Sequence, residues 1–105
     1  MAETAKEFFD GLKDSVDESK AAGLSAIFQF NIGDGQWYAK IADGSVDIGE
    51  GVADSPTITL TATEADWMDL VNGKINGQTA FLTGKLKIQG DMTLAMKLES
   101  LFALG

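Results

Sequence analysis

Between residues 25 and 62 apolar and polar side chains alternate with a period of two, a pattern that fits strands half-buried in a sheet and little else. Ala26, Phe28, Phe30 and Ile32 alternate with Ser25, Ile27, Gln29 and Asn31. Trp37, Ala39 and Ile41 alternate with Gln36, Tyr38 and Lys40, and Ile58, Leu60 and Ala62 with Thr57, Thr59 and Thr61. Successive strand side chains point to opposite faces, so each run predicts one buried and one wet face. Gly33-Asp34-Gly35 and Asp43-Gly44 supply the positive backbone angles that tight hairpins need. A third strand follows with Val46, Ile48 and Val52 on one face; its Gly49 and Gly51 suggest a bulge, strong curvature or an irregular edge. Pro56 fixes the entry to the fourth strand. Together these runs predict a largely antiparallel sheet covered by helices on a single side.

Helical spacing brackets the strands. Thr4 and Glu7 fit a capping box, and Ala5, Phe8, Phe9, Leu12 and Val16 share a face, which predicts an amphipathic helix over residues 4–19. Asp10, Asp14, Asp17 and Glu18 fall on or near its polar side. Without the Asx-rich loop and glycine of a calcium site they read as a solvated face. Past the fourth strand, Thr63 and Asp66 cap a helix holding Trp67, Leu70 and Val71 that stops at Asn72-Gly73. A second short helix holds Ala80, Phe81 and Leu82 and ends at Gly84. Residues 85–89 predict a strand with Leu86 and Ile88 inward and Lys85 and Lys87 outward. Asp91 then caps a last helix on which Met92, Leu94, Ala95, Met96, Leu98, Leu101 and Phe102 leave only a thin polar stripe. Such a helix needs apolar cover on more than one side.

Composition removes whole classes of chemistry. The 105 residues suit one domain over 1–105, large enough to bury about 65% of its unfolded surface. The chain has no cysteine, histidine or arginine. Thiolate chemistry, the usual general base, the commonest metal ligand and bidentate anion forks are therefore missing. The paired acids Asp43 and Asp47, or Glu64 and Asp66, lack an accompanying nucleophile, so no enzyme is expected. A net charge of −8 opposes nucleic acid, which requires a basic face. That charge is uneven: residues 1–69 carry 14 acids against four lysines, while residues 70–105 carry Lys74, Lys85, Lys87 and Lys97 against Asp91 and Glu99. The basic end reads as a solvated face or as a landing site for anionic headgroups. The N-terminus has no continuous apolar block of the signal-peptide kind and no window reaches the length of a membrane span, so cytoplasm is the expected compartment.

Residues 84–98, GKLKIQGDMTLAMKL, resemble the C-terminal signature of the sterol carrier protein type 2 family, and the order of elements is similar over nearly the whole chain. The resemblance implies an α+β fold: a single curved, five-stranded, mostly antiparallel sheet with helices covering one face around an apolar tunnel. It further implies a carrier that holds a long-chain lipid (fatty acid, fatty acyl-CoA or sterol) without a cofactor and without covalent chemistry. Taken alone, a stripe of methionines and aromatics reads as plain core. With the resemblance, Phe28, Phe30, Trp37, Ile58, Leu60, Trp67, Phe81, Leu82, Met92, Met96 and Phe102 become candidates for the lining, and Lys85, Lys87 and Lys97 for contact with a headgroup or an anionic membrane. Asp91 stands where relatives commonly have Asn, and Glu99 and Ser100 where some carry glutamines. The alternative, from a different class, is a structural or oligomerisation module whose groove holds another subunit, as in a homodimer; a third reading is a lipid-presenting partner of an enzyme.

Overall fold

The computed structural model describes residues 4–16 and 18–102. In order they form α1 (Ala5–Ser15), a 3-10 turn (Glu18–Ala21), β1 (Ala26–Ile32), β2 (Gly35–Ala42), β3 (Ser45–Glu50) and β4 (Ile58–Ala62). Then come α2 (Glu64–Val71), α3 (Gly77–Leu82), β5 (Lys87–Gly90) and α4 (Met92–Phe102). The sheet runs β3-β2-β1-β4-β5, antiparallel throughout except between β1 and β4, which are parallel. This is the expected α+β class with five mostly antiparallel strands.

Register turns the alternation into rows. Ile48, Ala39, Phe28 and Ile58 stand side by side across four strands, and Trp37, Phe30, Leu60 and Ile88 form the next row. These residues are buried or partly buried. α1 rests against β2, β3 and α2, while α4 rests against β4, β5 and the 3-10 turn. The caps sit where side-chain chemistry placed them: Thr4 accepts from the Glu7 amide, Thr63 from Asp66 and Asp91 from Thr93. Asn76 does the same for α3, a cap the sequence reading missed.

Three expectations need correction. The first helix stops at Ser15 instead of residue 19, because Val16 takes an extended backbone (φ −73°, ψ 139°); the following turn then sinks Ala21 into the core. Asp17, assigned to its polar side, lies outside the described residues. Val52 does not share the buried face of Val46 and Ile48. The strand ends at Glu50, Gly51 turns the chain at φ 120°, and Val52 is 65% exposed. Gly49 is present for a different reason from curvature alone: a Cβ there would run into the Tyr38 ring lying across it from β2.

The third correction concerns the face expected to be wet. β3 and β4 are parallel and lie on opposite sides of the β1-β2 pair, so residues 51–57 must cross the sheet, and they cross the polar face. Gly51 N–H donates to the Gln36 carbonyl and Thr57 N–H to the Ile27 carbonyl. Between them Gln29 is only 2% exposed. Its amide nitrogen donates to the Gly51 carbonyl (3.1 Å) and to Asn31 Oδ1, and its oxygen accepts from Ala53 N–H (2.8 Å). A buried amide satisfied in this way holds the crossover down, whereas a hydrocarbon would orphan two backbone groups. Gln29→Leu is therefore expected to lower stability by about 2–4 kcal/mol, since each unsatisfied buried group costs about 1–3 kcal/mol. Urea unfolding measures it; a loss under about 0.5 kcal/mol would show that the crossover is held by something else.

Candidate functional site

Six aromatic rings meet where α1 and α2 press on the sheet. α1 delivers Phe8 and Phe9, α2 delivers Trp67, β1 delivers Phe28 and Phe30, and β2 delivers Trp37. Phe9 lies nearly parallel to both indoles, with Trp37 stacked on it at 4.6 Å and Trp67 at 5.9 Å between ring centroids. Phe30 approaches Phe9 to 5.1 Å and Trp67 to 5.6 Å, and lies nearly parallel to Phe28 at 6.2 Å. Phe8 stands edge-on to both Phe9 and Trp67. Offset and edge-to-face contacts of this kind are the arrangements aromatic quadrupoles favour. Consecutive helix positions diverge by about 100°, so Phe9 is buried in the cluster while Phe8, packed beside α2, stays half-buried.

Phe28, Phe30, Trp37, Ile58, Leu60 and Trp67 are thus brought together in one buried interior. The Trp67 indole Nε1–H has no hydrogen-bond partner among the described residues. Phe81, Leu82 and Met92 stand elsewhere, at the surface, 40%, 72% and 45% exposed. The side chains of Met96 and Phe102 lie outside what is described. Lys85, Lys87 and Lys97 are all exposed, on three segments: the approach to β5, β5 itself and α4. Lys87 pairs with Thr61 across the edge of the sheet, on the face opposite the apolar rows.

Polar groups are sparse around the cluster. The Glu64 carboxylate accepts from the backbone N–H of Ala5 at 3.0 Å, tying the start of α1 to the start of α2. On the outer side of α1 the Asp10 carboxylate, hydrogen-bonded at 2.6 Å, holds the Lys6 ammonium above its ordinary value. Among the described residues no three acids converge as a metal site, and no helix is long and apolar enough to cross a membrane. The interior therefore offers apolar surface, ring faces and the Trp67 indole donor. Phe8 and Phe9, read from the sequence only as the inner face of a helix, are integral to it. Two adjacent phenylalanines on a short amphipathic helix were the available signal.

A mixed five-stranded sheet roofed by helices around an apolar interior defines a domain of the α+β class. The chain belongs to the SCP-2 sterol transfer family, whose model matches residues 5–103. It is similar to hydroxysteroid dehydrogenase-like protein 2 of Bos taurus, with 32% identity over 100 residues, which is 91% of this chain and 24% of that protein. The chain thus spans about a quarter of that relative's length. Among solved structures it is similar to sterol carrier protein 2 of Yarrowia lipolytica in its apo form, with a TM-score of 0.74, 28% identity, and coverage of 88% of this chain and 84% of that one. It is likewise similar to palmitated SCP2L2 of Aedes aegypti, with a TM-score of 0.74, 26% identity and 92% of both chains covered.

Proposed function

We propose that residues 1–105 act as one unit that reversibly binds a single long-chain lipid (a fatty acid, fatty acyl-CoA or sterol) in a tunnel between sheet and helices, and carries it in the cytoplasm without covalent chemistry. The observation that carries this reading is the likeness to a palmitated relative along 92% of both chains. The lining is assigned to Phe28, Phe30, Trp37, Ile58, Leu60 and Trp67 in the interior, with Phe81, Leu82, Met92, Met96 and Phe102 covered by ligand. Sealing about 14 methylenes from water yields roughly 11 kcal/mol gross, less the loss of freedom on association and chain ordering. Lys85, Lys87 and Lys97 are assigned to an anionic headgroup or membrane surface, the only part of an acidic chain whose charge suits either.

A second reading, a module that docks another protein through its apolar groove, draws support from the relative in which the matching region is only 24% of the length. Ligand linkage separates the two. Anything that binds the folded state alone stabilises it by about 2.7 kcal/mol at a free concentration of 100 times Kd. For a domain of this size that raises the melting temperature by roughly 10 °C or more, in proportion to the logarithm of free ligand. Delipidated protein titrated with palmitate, palmitoyl-CoA and a sterol is expected to show this rise with at least one of them. A melting temperature indifferent to all three contradicts the carrier reading.

A further inference from the structure

Trp67 is 0% exposed, yet its indole N–H finds no acceptor among the described residues. Its shell is aromatic: the centroids of Phe8, Phe9 and Phe30 lie 5.7, 5.9 and 5.6 Å away, and ring faces are second-order acceptors. Buried tryptophans ordinarily find a partner for this group, and native proteins leave few such donors unpaired. The contrast with Gln29 is instructive, since that equally buried amide has its nitrogen and its oxygen engaged.

We propose that Trp67 Nε1–H is the hydrogen-bond donor to the polar end of the bound lipid, and that this end is a neutral oxygen, a hydroxyl or an ester carbonyl, entering head first. The inference rests on the lipid-binding reading above and narrows it: a neutral head at Trp67 takes the place of an anionic head at Lys85, Lys87 and Lys97, which are left to a membrane surface. Neutrality follows from the surroundings. α2 bears Glu64, Asp66 and Asp69 and no base, and Lys85, Lys87 and Lys97 are exposed to solvent. A carboxylate drawn to Trp67 would be a buried anion with acids nearby, while Lys6 is held by Asp10 and Lys74 is exposed to solvent, an arrangement proteins avoid strongly. A hydroxyl or carbonyl accepts the indole proton without bringing in charge. Of the three rings around the indole, Phe8 alone is half-buried, so it is the ring that yields to admit the head.

The test uses the full chain labelled with 15N at its tryptophan indoles. Tetradecanol and tetradecane are presented from the same phosphatidylcholine vesicles, in competition with a fluorescent alkyl probe. The alcohol is expected to displace the probe about threefold to tenfold more effectively than the alkane, the range of a single net hydrogen bond, and to move the Trp67 indole N–H resonance downfield. Trp67→Phe keeps an aromatic ring, assigns the resonance, and is expected to abolish the preference for the alcohol, read as the ratio of the two displacement constants whatever the affinity for either chain. An unmoved Trp67 resonance with tetradecanol bound to the wild-type protein overturns the inference even if the variant does not fold. So does a preference that survives Trp67→Phe. If neither chain displaces the probe nor binds at all, the lipid reading itself fails and this inference with it.

Discussion

Replacing Phe9 with alanine is expected to destabilise the protein by about 3–5 kcal/mol, the range for deleting a fully packed phenylalanine from a core. Phe9 is 3% exposed and its ring meets Phe8, Phe30, Trp37 and Trp67. Two of those rings, Trp37 and Trp67, lie nearly parallel to it, so its removal strips stacking contacts from both indoles. The loss is large against a total stability of about 5–15 kcal/mol for a domain. It should appear as a lower urea midpoint with little change in slope, since the surface exposed on unfolding is nearly the same. Phe8→Ala serves as the comparison, because a half-buried ring has less to lose. A loss below about 1 kcal/mol for Phe9→Ala would mean that the interior collapses onto the missing ring and is looser than the stacking indicates.

Gly90→Ala is expected to be nearly as damaging, by a different route. Gly90 has φ +111°, and a Cβ there would stand 2.9 Å from Ile58 Cα and closer still to the Thr57 carbonyl oxygen. Both obstacles are backbone and cannot rotate aside. Gly90 pairs with Ile58 across β4 and β5, and the next amide, Asp91 N–H, donates to that same Thr57 carbonyl at 3.2 Å. Backbone strain at such a φ is about 1–3 kcal/mol, and relieving the overlap must pull β5 and the start of α4 from the sheet. A total of about 3 kcal/mol or more is expected, with faster hydrogen exchange at residues 58–61 and 87–90. An alanine tolerated within about 0.5 kcal/mol would mean that this edge adjusts freely.

Gly90 also shows where sequence reading stops. The alternation of Phe28, Phe30 and Ile32 with Gln29 and Asn31 identified β1 and its inner face, because side-chain period alone decides which residues share a face. The capping residues Thr4, Thr63 and Asp91 marked helix starts, because capping is local chemistry. The burial of Gln29 was not legible: it depends on a crossover that returns over the sheet 22 residues later, at Gly51. The same holds for the close approach of Gly90 to Thr57 and of Gly49 to Tyr38, where a glycine's reason lies in a partner strand. In the candidate site, the interior positions Phe28, Phe30, Trp37, Ile58, Leu60 and Trp67 could be read from period and hydrophobicity. That Phe9 stacks with two indoles, or that Trp67 lacks an acceptor among the described residues, follows only from how α1 and α2 meet above the sheet.

The most direct measurement is native mass spectrometry of the freshly purified protein, before any delipidation. A bound long-chain lipid is predicted: a share of the monomer carrying extra mass in the lipid range, released by organic extraction and regained when a long-chain lipid is added back. An empty homodimer that takes up no lipid mass on addition would contradict the carrier function and leave the protein-docking module in its place.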